Sequence, residues 1–340
     1  MTDLRQQHRI ISSAGANIVA ASDALEESDN AEFEVREGLV PLKSHGVRLD
    51  IALAQLVPEF SRSYLQQLVL AGGVTLNGVL AVKPSTKTKV FDRLRIELKP
   101  TAQSQAFKAE SMALDVVFED EFLLVINKRA GLVVHPAPGN WSGTLLNGLL
   151  ARNTTAMLLP RAGIVHRLDK DTSGLMVVAR ERQVMDRLVE MIAARSVSRQ
   201  YLSVAQGAWK GAKTRHVALP VGRDPKNRLR MAVVDLDKNS GKTAATDLTL
   251  ISSSLKHCLV QCKLHTGRTH QIRVHMSAIG HPLVSDALYG GAADGGIERQ
   301  ALHACRLAFE HPVTAEKLEF TSPLPEDMAA AIVALGLRYN

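Results

Sequence analysis

Two carboxylates lie between an arginine and a glycine in the segment His166-Arg167-Leu168-Asp169-Lys170-Asp171-Thr172-Ser173-Gly174. The run Leu-Met-Val-Val-Ala179 follows directly, so the acids sit on a short loop leading into a strand-like stretch. A carboxylate on such a loop can attack an electrophile or remove a proton without any cofactor, provided a nearby cation keeps it ionised. Cations for that purpose occur about a hundred residues on, in Gly267-Arg268-Thr269-His270-Gln271-Ile272-Arg273-Val274-His275-Met276. A plainer reading is also open: Asp169 and Asp171 could be turn residues whose side chains bond their own backbone. Composition and spacing do not decide between the two acids.

Several other signatures fail on inspection. His166-Arg167-Leu168-Asp169 has Leu and Asp transposed relative to a kinase catalytic loop, and no Asp-Phe-Gly occurs. Gly241-Lys242-Thr243 ends like a phosphate-binding loop, but Leu236 stands where the earlier glycine is required. Asp235, Asp237 and Asn239 hint at a calcium loop, yet Ser240 and Thr246 occupy its glycine and bidentate glutamate positions. His270 and His275 are five apart, the wrong interval for two zinc ligands on a helix. No metal and no nucleotide cofactor is expected.

The uninterrupted string His-Arg-Leu-Asp-Lys-Asp-Thr-Ser-Gly-Leu and the Gly267–Met276 stretch resemble the pseudouridine synthases of the RluA/RluD-type family. They are closest to those acting on the large ribosomal subunit. Further segments agree in order: Asn127-Lys-Arg-Ala-Gly131 through His135-Pro136, Ser198-Arg199-Gln200-Tyr201, and Arg299-Gln-Ala-Leu302-His303. Two positions depart from the family pattern, Arg129 for a usual proline and Ser285 for a usual glycine. The resemblance spans about residues 46–320.

That resemblance implies a catalytic role for Asp169, with Arg273 as its ionic partner on a strand, Tyr201 in the active site and Leu302 lining the pocket. Asp171 becomes the turn-former. Arg167, His166 and Arg268 are expected on the RNA. The implied reaction cleaves the N-glycosidic bond of a uridine, turns the base and rejoins it through carbon, with no cofactor. The base must first leave its stack, at a cost of a few kcal/mol, and Arg167 would fill the gap or hold a neighbouring phosphate. Tyr201 would stack on the uracil for about 1–3 kcal/mol; a core tyrosine is the plain alternative. The substrate so implied is ribosomal RNA of the large subunit or its precursor. The competing function is a non-catalytic RNA-binding ribosome-assembly factor, which would explain charge but not an intact acid loop.

These residues need elements to hold them. Residues 1–45 read as an acidic tail, since 21–40 carry seven acids against Arg36 alone. Removing that −6 from the total of +7 leaves +13 on the rest, which suits a polyanionic partner. Residues 46–98 read as two helices, the second capped by Ser61, then a hairpin turning at Asn77-Gly78 and a strand over 93–98. This unit resembles the small RNA-binding module of ribosomal protein S-four, with Arg48 and Arg62 expected on phosphates. Residues 99–111 read as a linker. Residues 112–330 mix strand-like runs (123–126, 132–134, 174–179, 201–205, 259–264) with helices near 182–195 and after Gly143.

The expected fold is therefore α+β: a catalytic domain with a mixed, largely antiparallel sheet and flanking helices, plus the small α/β module. Cys258, Cys262 and Cys305 read as reduced and structural, because four strand residues hold the first two about 13 Å apart. Without an apolar signal core or a run of about 20 apolar residues, a cytoplasmic protein without membrane contact is expected.

Overall fold

The computed structural model describes residues 34–98, 107–137, 140–227 and 230–339, which divide into two units between Lys99 and Pro100. Residues 1–33 and most of the expected linker lie outside the described residues.

In the smaller unit, strand β1 (Glu34–Leu39) precedes helices α1 (Leu49–Leu56) and α2 (Arg62–Leu70) and strands β2 (Val74–Leu76), β3 (Val79–Leu80) and β4 (Arg93–Leu98). Ser61 caps α2 as expected, its hydroxyl accepting the Tyr64 N–H at 3.3 Å. Asn77 and Gly78 both take positive φ, 54° and 78°, the conformation that a two-residue hairpin turn demands. Leu49, Leu53, Leu65 and Leu68 are buried against Val74 and Ile96, each worth about 1.5–3 kcal/mol of transfer free energy. The expected start at residue 46 is too late. β1 lies inside the stretch read as tail and pairs antiparallel with β4 along its whole length. Its side chains are almost all exposed, so no alternation of polar and apolar residues marks it.

The larger unit contains β5 (Val116–Glu119), β6 (Leu123–Lys128), α3 (Leu145–Arg152), β7 (Ser173–Ala179), α4 (Arg182–Ala193), β8 (Ser198–Gln206) and β9 (Thr214–Val217). There follow β10 (Val221–Arg223), β11 (Met231–Val233), β12 (Gly241–Lys242), β13 (Thr246–Ser253), β14 (His257–Leu264), α5 (Gln271–Ala278), β15 (Leu302–Glu310), β16 (Lys317–Thr321) and α6 (Glu326–Ala334). Nine strands form one sheet in the order β5-β6-β7-β15-β8-β14-β13-β9, with β16 on β15. Among the described strands, only β7–β15 is a parallel pair. There the two backbones approach so closely that a Cβ on Gly174 would collide with Ala304, and Gly174 itself has φ 113°. Alternate residues of β6 feed opposite faces: Leu123 and Val125 pack with Val184 and Leu188 of α4, Leu124 and Ile126 with Leu145 and Leu149 of α3. The α+β architecture is thus as expected. Among the described residues, no helix is long and apolar enough to cross a membrane.

Three local expectations are corrected. Leu132 and Val134 are buried but the run forms no strand, because its carbonyls serve elsewhere: Leu132 accepts from Lys128 Nζ, while Val133 and Val134 accept the first N–H groups of α3. The segment expected as the strand carrying Arg273 is helix α5. The unit also extends past residue 330, since Met328, Ala331 and Ile332 of α6 complete a core cluster with Leu202 and Val204. Cys258, Cys262 and Cys305 are buried and unbridged.

Candidate active site

The loop between His166 and Ser173 is fixed by its own carbonyls. Thr172 N–H donates to Asp169 O at 3.1 Å, closing the turn. Lys128 Nζ donates to Lys170 O at 2.9 Å, and Arg299 Nη1 to Asp171 O at 2.9 Å. Lys128 also donates to Arg129 O and Leu132 O, so three carbonyls use all three of its protons. Burial pulls its pKa down to about 7 against the opposing pull of Asp171 and Asp169. A backbone tied at three consecutive residues can hold one side chain in a set direction. That side chain is Asp169.

Asp169 keeps 16% of its side-chain surface, and its Oδ2 accepts Arg273 Nη1 at 3.1 Å. Arg273 is in turn gripped by Asp286, with Nε and Nη2 donating to the two carboxylate oxygens at 2.7 and 2.8 Å. Asp286 is 1% exposed. Burial alone would lower the Arg273 pKa, but Asp286 and Asp169 outweigh it and raise it further above the ordinary guanidinium value. Arg273 therefore stays charged. Its guanidinium also lies over the Tyr289 ring, 4.9 Å from the centroid.

The other oxygen of Asp169 has no close donor among the described residues; His270 Nε2 stands 3.8 Å from Oδ1. Burial lowers the His270 pKa despite Asp169, which keeps the imidazole neutral. Its Nδ1 lies 2.7 Å from Tyr289 Oη, and that oxygen accepts Met231 N–H. Tyr289, its own pKa raised by burial, keeps its proton and donates it to Nδ1, which leaves Nε2–H toward Asp169. His270 takes φ 56° at the start of α5, a strained backbone that aims the ring.

Around these groups runs a cleft of about 510 Å³. Of the residues expected at the site, Asp169, Arg273, Tyr201, Leu302, Arg167, His166 and Arg268 all line it. Asp169 is the single carboxylate among its lining residues, against Arg161, Arg167, Arg195, Arg199, Arg268 and Arg273. Tyr201 is 5% exposed, and burial raises its pKa to about 12, with Arg199 opposing. His166 Nε2 accepts Val177 N–H at 3.1 Å, and burial, reinforced by Arg199, pushes its pKa down to about 3. It is a neutral ring holding the loop to β7. Arg268 Nε donates to Thr243 O. Arg167 is exposed.

Arg48 and Arg62 belong to the smaller unit, where both bond Asp50, as does Gln66. Asp50 is 0% exposed, while Arg48 keeps 40% of its side-chain surface and Arg62 49%. Burial by itself would raise the Asp50 pKa, but the bonds from Arg48, Gln66 and Arg62 bring it down to about 2.

Reading the sequence missed Asp286, Tyr289 and Lys128, and dismissed His270 because it tested only a zinc-binding interval. Ser285 was the one hint: in the place of a usual glycine it does adopt a left-handed φ of 59°, which swings Asp286 toward α5. Among the described residues, one group places three metal-type ligand atoms within 4.8 Å: His216, Asp247 and His265. There the Asp247 carboxylate lies between the two imidazoles, 2.6 Å from each.

Comparison with known proteins identifies the family. The RNA pseudouridylate synthase profile matches residues 122–278, and the S4 domain profile residues 47–94. The chain is 45% identical over 333 residues, 93% of its length and 87% of the other, to a Neisseria meningitidis protein named ribosomal large subunit pseudouridine synthase D. It is 44% identical to a Xylella fastidiosa protein of the same name, covering 91% of this chain and 95% of that one. Human RNA Pseudouridylate Synthase Domain Containing 1 superposes with a TM-score of 0.50 at 28% identity, over 64% of this chain and 87% of its own. Human RNA Pseudouridylate Synthase Domain Containing 4, at 23% identity and TM-score 0.52, covers 66% of this chain and 94% of its own and shares the fold.

Proposed function

Because this chain belongs to the RNA pseudouridylate synthase family, we propose that it isomerises uridines of large-subunit ribosomal RNA, with Asp169 as the reacting carboxylate. One observation carries the assignment of the residue. Among the described residues, Asp169 is the single carboxylate lining the cleft, and Arg273 occupies one of its oxygens while the other has no close donor. Arg273 pairs with one oxygen of the acid, Asp286 keeps Arg273 in place, and the other oxygen faces the ribose or base of an extruded nucleotide. The C1′–N1 bond breaks, the base turns, C1′–C5 forms, and the proton lost from C5 is balanced by one taken up at N1. Reactant and product have the same composition, so the protein must supply only a charge, a proton acceptor and a pocket.

Tyr201 supports the base in that pocket. A tyrosine serving only the core has a partner for its hydroxyl, and Tyr201 Oη has none among the described residues. Arg167, exposed at the cleft and without an ion pair among the described residues, is placed to fill the vacated stack or take a phosphate. The arginine-rich walls suit RNA, where each neutralised phosphate releases counterions. In the S4 unit, Arg48 and Arg62 offer the faces not used by Asp50 to further phosphates. Such work implies the cytoplasm, where ribosomal RNA is assembled. The test is carbodiimide-stop primer extension on large-subunit RNA incubated with the purified chain. New stops at defined uridines are expected; an unchanged map, with RNA bound, would leave only the assembly-factor reading.

A further inference from the structure

Arg199 lies on β8 two residues before Tyr201, on the same face of the strand, and is 6% exposed. Buried cations elsewhere in this unit are all paired: Lys128 has three carbonyls and Arg273 has Asp286. Arg199 has neither an ion pair nor a side-chain hydrogen bond among the described residues, and its Nε is enclosed without an acceptor. An unmatched charge of this kind costs stability unless something outside the chain completes it. Room has been kept for it. A Cβ on Gly267 would collide with Arg199 Nη1, so the loop before α5 can hold only glycine there without displacing the guanidinium.

A neighbouring ring offers it no acceptor. His166 uses Nε2 to accept from Val177, so its proton sits on Nδ1, which is enclosed and without a partner. Both side chains line the cleft that holds Asp169. The two Arg199 Nη groups, which are not enclosed as Nε is and have no acceptor among the described residues, call for an anion with oxygens in a fork arrangement, the geometry of a phosphodiester. The spacing agrees: two residues along a strand place Arg199 about 6.6 Å from Tyr201, comparable with the distance from a uracil ring to its own nucleotide's phosphate.

We propose that Arg199 anchors the RNA by taking a backbone phosphate that flanks the extruded uridine, its hydrogen bonds being completed only in the complex. This inference rests on the reading of the cleft as an RNA site.

The test uses the full chain and a large-subunit RNA fragment containing a uridine that the wild type converts. Arg199→Gln should raise Kd and KM about tenfold, KM rising more than kcat falls. The slope of log K against log salt should shrink by about 0.7. A neutral methylphosphonate linkage 5′ or 3′ of the target should weaken the wild type by a similar factor and the variant hardly at all. Without RNA, Arg199→Met should unfold at the same or a higher temperature than wild type. The proposal is overturned if Arg199→Met lowers the midpoint by several degrees, or if methylphosphonate weakens wild type and variant equally. It is likewise overturned if inorganic phosphate alone raises the midpoint through Arg199 while methylphosphonate has no effect, since the site would then serve a free anion. Absence of any uridine conversion by the wild type would sink the functional reading instead, and the binding arms would still report on Arg199.

Discussion

Each unit builds a cluster around one buried charge, Asp50 in the smaller and Arg273 in the larger, and the two are built in opposite proportions. Around Asp50, one carboxylate at 0% exposure is shared by two half-exposed arginines and Gln66. Around Arg273, one arginine at 8% exposure is shared by two carboxylates, of which Asp286 takes the two-pronged grip and Asp169 a single contact. Asp50 has its lone pairs occupied from three sides and nothing left for a substrate. Asp169 keeps an open oxygen on a cleft. The same residue types therefore make a structural rivet in one place and a reactive group in the other. What separates them is the count of donors per carboxylate.

Substitutions can break that contrast, beginning at Arg273. Arg273→Ala should lower single-turnover tritium release from carbon-five-labelled uridine RNA by at least about a thousandfold, a barrier increase of about 4 kcal/mol. Denaturant unfolding should show about 3–5 kcal/mol of lost stability as well, because Asp286 is left buried without its cation. Retained activity would mean that Asp169 needs no such partner. Asp286→Asn should act through Arg273 alone, slowing turnover about 10–100-fold, the range typical of supporting residues one shell out. A rate equal to wild type would remove Asp286 from the account.

In the smaller unit the expected pattern reverses. Asp50→Ala should destabilise that unit by about 3–5 kcal/mol, while the chemical step at saturating RNA stays near wild type; calorimetry beside tritium release checks both halves. The smallest effect is one of pH. The folded Asp50 pKa is about 2 and its ordinary value 3.8, so the unfolded chain takes up the proton first. The stabilisation is complete above about pH 4 and is lost as pH falls toward 2. Arg48→Ala should move that loss to higher pH, and an unmoved acid transition would show that Arg48 does not hold the carboxylate.

How much of this contrast could be read in the sequence differs by element. The acid loop and Arg273 were legible because their motif is contiguous, and the Ser61 cap and Asn77-Gly78 turn because each is a local rule. Helix α5 was not. Ile272, Val274 and Met276 alternate with polar residues as a strand would, yet Gln271, Arg273 and His275 are buried too. Their polar groups are met by Ala245 O, Asp286 and Leu219 O, so the helix has no wet face to set a period. β1 failed for the converse reason, since nearly all of it is exposed. Lys128 escaped because its partner Lys170 lies 42 residues away, and Asp286 because it meets Arg273 from a loop 13 residues on, where no local rule sets the pairing. The Asp50 cluster was half visible. Its arginines were noted for their charge, while the acid they surround was passed over.

The account depends most on Asp169 being the reacting group and not merely the second counter-ion of Arg273. Asp169→Asn keeps the shape and a hydrogen-bonding oxygen for Arg273 but removes the charge. Tritium release from carbon-five-labelled uridine, measured beside the RNA dissociation constant, separates the two roles. The expected result is no detectable release with binding near wild type; turnover within about tenfold of wild type would contradict the assignment.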